Sequence, residues 1–170
     1  MPYPLAAARG RDAAQGSAGA TQQPYLLNLT TYTDPLARAT IGREFRVTAA
    51  ASCYGLRFKS NGAQTINIHL WRTDTGAQVA VTNSLSAANG VNELLFSAPV
   101  TLDPALTYRI SVSLSSPGAV AHYLRTLGGD HPDGPITILT ANSRCYAATN
   151  NTYPATADTN SFGGEPIIYT

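Results

Sequence analysis

Charge is what this chain has least of. Of its 170 residues only 12% are Asp, Glu, Lys or Arg, about half the fraction common in globular domains. The 11 basic residues are scattered, and the formal net charge is +1. Arg9 and Arg11 make the tightest basic grouping. Binding to a phosphate backbone needs clustered cations, so no nucleic-acid partner is expected. No apolar run approaches the ~18 residues of a membrane-crossing helix, so no membrane span is expected. Residues 1–19 carry no basic n-region and only the short apolar run 5–8. That falls below a signal-peptide core, and an export signal is not expected.

Cysteine is nearly absent as well. Cys53 and Cys145 are the two in the chain, too far apart for a CxxC redox motif or a zinc site. Two readings stand open: one disulfide across the fold, or two buried small thiols. The motifs of nucleophilic, nucleotide and metalloprotease chemistry are missing, so no enzyme and no cofactor are expected. Four of the acids, Asp34, Asp74, Asp103 and Asp133, stand beside Pro, Gly or Thr in turn contexts, where a carboxylate caps backbone amides. Asp130, His131 and Asp133 form the one local cluster of metal-capable side chains. Its carboxylates are too few for a calcium site, and no metal is expected. The sequons at Asn28 and Asn150 read as chance.

What the chain does have is alternation. Leu56 and Phe58 flank Arg57; Ile66, Ile68 and Leu70 alternate with Asn67 and His69; Tyr108, Ile110, Val112 and Leu114 alternate with Arg109, Ser111 and Ser113. A period of two puts one set on a dry face and the other on a wet one. Tyr54 extends the Leu56/Phe58 set, and Trp71 falls on the outer set with Asn67 and His69. Turn formers punctuate these runs at residues 60–62, 74–76, 88–90, 103–104 and 116–118. Asn61-Gly62 predicts a hairpin, and Pro99, lacking an N–H, predicts the end of pairing. Residues 128–135 read as a loop, and 140–163 as polar and turn-rich. No helical stripe appears. The expected fold is all-β: a two-sheet antiparallel β-sandwich, jelly-roll-like, over residues 25–170. Residues 1–24, rich in Ala, Gly and Gln, read as an extended N-terminal arm. It is either a free tail or a docking segment anchored by Pro2, Tyr3, Pro4 and Leu5.

Gly55, Leu56, Arg57 and Phe58 are followed by His69, Leu70 and Trp71, by Thr75 and Gly76, and by Phe96, Pro99, Val100 and Tyr108. That order resembles a bacterial and phage extracellular β-sandwich domain of unknown function, the type appended to secreted glycan-active and Ig-like multidomain proteins. His122 and Tyr123, residues 134–137 and residues 152–154 continue the likeness across roughly residues 30–170. The chain departs from the pattern at 162–169, which lacks the aromatic-rich closing strand. The resemblance implies a sandwich that works outside cells, and it brings no catalytic residues.

Export without an export signal is what a virus particle achieves. The expectation is therefore a non-enzymatic structural protein of a tailed phage or phage-like particle, as a head decoration, spike or tail-fibre component. It would be made in the host cytoplasm and displayed on the virion surface. Its partners would be other virion subunits, including copies of itself in a homo-oligomer, and host polysaccharide. The alternative is a free-standing carbohydrate-binding module of a secreted protein. Either way the candidate glycan contacts are His69, Trp71, Tyr123, Tyr146 and Tyr153, aromatic or imidazole groups suited to stacking on a sugar. Trp71 carries two readings, a stacking platform or the cap of a sheet edge.

Overall fold

A computed structural model describes residues 30–33, 39–60, 62–114, 121–124, 131–133, 136–139, 144–158, 162 and 164–169. All regular structure among them is β-strand. The strands are β1 (Thr30–Thr33), β2 (Thr40–Val47), β3 (Ala51–Ser60), β4 (Gln64–Arg72), β5 (Gln78–Ala87), β6 (Gly90–Leu102) and β7 (Thr107–Leu114). They continue with β8 (Ala121–Leu124), β9 (His131–Asp133), β10 (Ile136–Ile138), β11 (Arg144–Ala147), β12 (Thr156–Asp158) and β13 (Gly164–Tyr169).

Two antiparallel sheets pack face to face. The large sheet runs β12-β11-β2-β7-β4-β5, with β10 also pairing β2 and β9 pairing β10. The small sheet runs β13-β3-β6. β1 and β8 make a separate ribbon, with β8 lying against β3. The core between the sheets is the dry set of the alternation: Ile66, Ile68 and Leu70 from β4, Tyr108, Ile110, Val112 and Leu114 from β7, and Leu56 and Phe58 from β3. Burying such side chains contributes roughly 1.5–3 kcal/mol each before entropy is counted. Arg43 breaks the rule. It points into this core, fully buried, and its Nη2 donates to the Phe162 carbonyl at 2.7 Å.

Several local expectations need correction. The turn at Gly62 has φ 124 as expected, but it does not close a hairpin. It carries the chain from β3 in the small sheet to β4 in the large one. Gly90, with φ 102, sits at the matching corner from β5 to β6. A glycine at positive φ serves a hairpin and an inter-sheet corner equally well, so the residues alone do not separate them. The true hairpin turn is at residues 74–76, where Gly76 (φ 67) donates its N–H to the Arg72 carbonyl at 2.9 Å.

Pro99 interrupts pairing, as expected, without ending the strand. It lies inside β6, where β6 advances from Val100 to Leu95 while β3 advances only from Cys53 to Gly55. Residues 96–99 bulge out of the ladder there, so the missing N–H is not needed. The same irregularity shifts the phase of β3. Cys53 and Leu56 both face the core, and Tyr54 is displaced from their set to pack edge-on against Tyr169 at 5.0 Å. The expected loop at 128–135 contains β9, and the turn-rich stretch 140–163 contains β11 and β12.

The cysteine question is resolved against a bridge: neither sulfur is in a disulfide, and both are buried. Cys53 belongs to the core between the sheets. Cys145 pairs with Gly42, which pairs with Ser111, and that row projects from the opposite, outer face of the large sheet. The sheet itself therefore separates the two sulfurs. Burial pushes the Cys53 thiol up to about 12, well away from reactive thiolate. A thiol reagent such as DTNB should accordingly titrate neither cysteine in the native protein and both after unfolding, and added reductant should leave the melting temperature unchanged.

Candidate functional site

The candidate glycan contacts converge in part. His69 and Trp71 project from the outer face of β4, and Tyr153 reaches them from the segment between β11 and β12. The His69 and Trp71 rings stack with centroids 5.3 Å apart, and Trp71 meets Tyr153 edge-on at 5.9 Å. Tyr146 lies elsewhere, on β11 opposite Ile41, where it packs against the core with the Arg144 guanidinium 5.7 Å from its ring. Tyr123 belongs to β8, and its side chain lies outside the described residues. The arm residues Pro2, Tyr3, Pro4 and Leu5 also lie outside them.

The outer face of the large sheet was expected to be wet, and over the middle of β2, β7 and β4 it is dry. Arg109 is 8% exposed, Ser111 0% and Ser113 1%. The cover is the segment 148–155, which folds back over β2, β7 and β4. Three polar groups beneath it hold pieces of that segment. Thr40 Oγ1 donates to the Thr149 carbonyl at 2.8 Å, and Ser113 Oγ accepts from the Asn151 N–H at 3.0 Å. Arg109 Nη1 donates to the Pro154 carbonyl at 2.5 Å, while its Nε donates to Glu44 Oε2 at 2.8 Å. The guanidinium also lies 5.0 Å from the Tyr153 ring centre. Burial opposes the Arg109 charge, but Cys145 and Glu44 on the same face outweigh it and raise its pKa.

Trp71 is only 5% exposed, and its indole N–H donates to Ser111 Oγ at 2.9 Å. With His69 on one side and Tyr153 on another, no open face remains for a sugar to stack upon. The indole is a structural anchor beneath the roof, on a strand interior to the large sheet. Tyr153 is itself held between Arg109, Trp71 and the Gly76 turn. Burial lifts its phenol above the usual value.

Sequence reasoning missed Asn67, Gln78 and Asn151, which complete the cluster at its rim. The Ser84 N–H donates to Asn67 Oδ1 at 2.8 Å, so the Asn67 amide must offer its nitrogen to Asn151 Oδ1, 2.8 Å away. That oxygen also faces His69 Nε2 at 3.1 Å, and the proton of the neutral ring therefore sits on Nε2. Nδ1 lies 3.0 Å from the Gln78 amide, which a half-turn adapts to either protonation state of the ring. The only signal for this network was the polar half of each alternating strand. Its partners come from a segment some eighty residues later, as the Asn67–Asn151 contact at a separation of 84 shows.

The outer face of the small sheet carries a second ionic group. Arg57 Nη1 donates to Glu165 Oε1 and Nη2 to Glu93 Oε1, both at 2.7 Å, across three adjacent strands. Burial works against the charge on Arg57, yet the two glutamates more than compensate and its pKa lies above the ordinary value. Among the described residues, no group of three or more His, Cys, Asp or Glu side chains is placed to hold a metal. No described helix is long and apolar enough to cross a membrane.

A family described as a domain of unknown function, DUF4082, matches residues 29–162. The match covers most of the chain, and the chain belongs to that family. No curated protein matches it.

Two outcomes follow from this geometry. Glu44→Ala leaves the buried Arg109 without its counter-charge and should lower stability by about 3–5 kcal/mol in denaturant titration. Burial holds the His69 pKa below its ordinary 6.5, although hydrogen bonds from Gln78 and Asn151 oppose the shift. The unfolded chain then takes up a proton that the folded one resists, so stability holds above about pH 6.5 and falls as the pH drops below it. His69→Gln should flatten the melting temperature between about pH 7 and pH 5, before carboxylate titration takes over.

Proposed function

We propose that this protein is a non-enzymatic structural component of a tailed phage or phage-like particle: a head decoration, spike or tail-fibre subunit. Its sandwich faces outward toward host surface polysaccharide. Docking to the particle is assigned to residues 1–24, with Pro2, Tyr3, Pro4 and Leu5 as anchors. The observation that carries this reading is the commitment of the buried ionisable groups on the outer sheet faces among the described residues. Glu44 with Arg109, and Glu93 and Glu165 with Arg57, are tied into structural pairs, and His69 is enclosed by amides. A hydrolase needs a nucleophile or carboxylate pair open to substrate, and these groups support architecture instead. With only 12% charged residues, the chain is rich in hydroxyl, amide and small apolar side chains, which suits contact with subunits and neutral glycans.

A second reading, a carbohydrate-binding module of a secreted protein, is favoured by one specific observation. Gln78 and Asn151 meet the two nitrogens of the His69 ring, with Asn67 bonded to Asn151, in the cluster that also holds Trp71 and the half-buried Tyr153. Amides beside an aromatic edge are the chemistry that orients sugar hydroxyls.

Particle fractionation with mass spectrometry separates the two readings. The first expects the chain at fixed stoichiometry in purified particles, with residues 1–24 protected from protease only there. Absence from particles, or a segment equally labile in both states, contradicts it. The second expects saturable binding on a glycan array that Gln78→Ala, a change at an exposed position, weakens at least tenfold while the melting temperature stays within a few degrees. Trp71→Ala is unsuited to that test, because its indole is buried.

A further inference from the structure

The large apolar side chains exposed among the described residues are Val79, Val81, Val91 and Leu95, and all four lie on β5 and β6. Each of these strands ends its sheet on the same side of the sandwich. Their edges are built differently. β5 is interrupted by two register shifts against β4, one opposite Asn67, where Ser84 sits at φ 57, and one beside Trp71. Bulges of this kind spoil an edge for pairing with another chain. The far half of β6 is spoiled likewise by the excursion at 96–99 and by Pro99. Residues 90–95 are the exception. They pair in unbroken register with β3, from Ser60↔Gly90 to Gly55↔Leu95, and β3 is their only partner strand among the described residues. Their other side is a regular run of backbone donors and acceptors. The side chains above it are Val91 and Leu95, 37% and 39% exposed, on either side of Glu93.

We propose that residues 90–95 are a self-association edge. The same stretch of a second copy pairs with it antiparallel about a two-fold axis through Glu93, which joins two three-stranded sheets into one continuous sheet. Self-complementarity identifies the occupant. Pairing centred on Glu93 sets Val91 opposite Leu95 of the copy, twice by symmetry, so that each exposed apolar side chain meets its complement. The two Glu93 side chains that meet at the axis each carry their own cation, since Arg57 Nε and Nη2 both donate to Oε1, at 3.1 and 2.7 Å. A like-charge clash at the centre is thereby neutralised. A foreign strand would have to supply the same apolar spacing and a compatible centre. This contact is small, and it suits an assembly in which many weak contacts add. The inference deepens the subunit-contact half of the proposed function, and a monomeric protein would leave the glycan half of that reading standing.

Cysteine cross-linking of the full chain tests it. In the double variant Val91→Cys plus Leu95→Cys, the introduced thiols face each other across the axis at cross-strand distance, about 4.5–5.5 Å between Cα atoms. Within one chain they lie about 13 Å apart, too far to bridge. Mild oxidation should shift the double variant to a dimer on a non-reducing gel, while each single variant stays mostly monomeric. Leu95→Lys, a change at an exposed position, should shift wild-type-like sedimentation toward monomer without moving the melting temperature. No dimer from the double variant would overturn the proposal, as would equal dimer from the single variants. A dimer that forms only after residues 1–24 are deleted would also overturn it, because the edge would then belong to the chain's own leading segment.

Discussion

Arg109 lies at the centre of the outer face of the large sheet and does two jobs at once. Its Nε is held by Glu44 on the neighbouring strand, and its Nη1 holds the backbone of the segment between β11 and β12. With Thr40 and Ser113 making parallel contacts, that segment becomes a roof over what would otherwise be a solvated face. Buried polar groups are tolerable only when each finds a partner. The roof and the polar row beneath it therefore depend on each other: without the row the roof has no anchor, and without the roof the row has lost its reason to be dry. The position of Tyr153 follows from this contact, as does the enclosure of Trp71 and the network around His69.

The small sheet repeats the theme with charge. Arg57 bridges Glu165 on one flank and Glu93 on the other, so one guanidinium ties all three strands together on their outer face. Glu165 and Arg57 are buried, while Glu93 stands open at the edge. Burial thus declines from β13 to β6. The sandwich is closed over most of both faces and open along one side, where bulges guard β5 and half of β6.

Strands with a strong period of two were readable to within a residue or so. β4 and β7 are the clearest cases, because Ile66, Ile68, Leu70, Ile110 and Val112 leave no alternative phase. The outward placement of Trp71 and His69 was readable for the same reason. Their burial was not, since it depends on Asn151, Tyr153 and Arg109, and periodicity says nothing about which distant segment will cover a face. β9, β11 and β12 were missed because they are short; they exist through pairing with β10, β2 and β11 respectively rather than through local propensity. Pro99 marked the break in pairing but not the continuity of β6 across it. A proline ends a ladder only where an N–H is required, and an edge bulge requires none. Likewise a pair of cysteines gives no sign of which side of a sheet each will occupy.

The mutual dependence of roof and polar row is most directly tested by amide hydrogen exchange at Asn151, whose N–H donates to Ser113 Oγ in an otherwise irregular segment. The account predicts protection within about tenfold of the β7 amides, lost together with theirs in Glu44→Ala. Exchange of Asn151 at the rate of an unstructured peptide, with β7 fully protected, would mean that the segment does not hold the outer face, and would contradict the account.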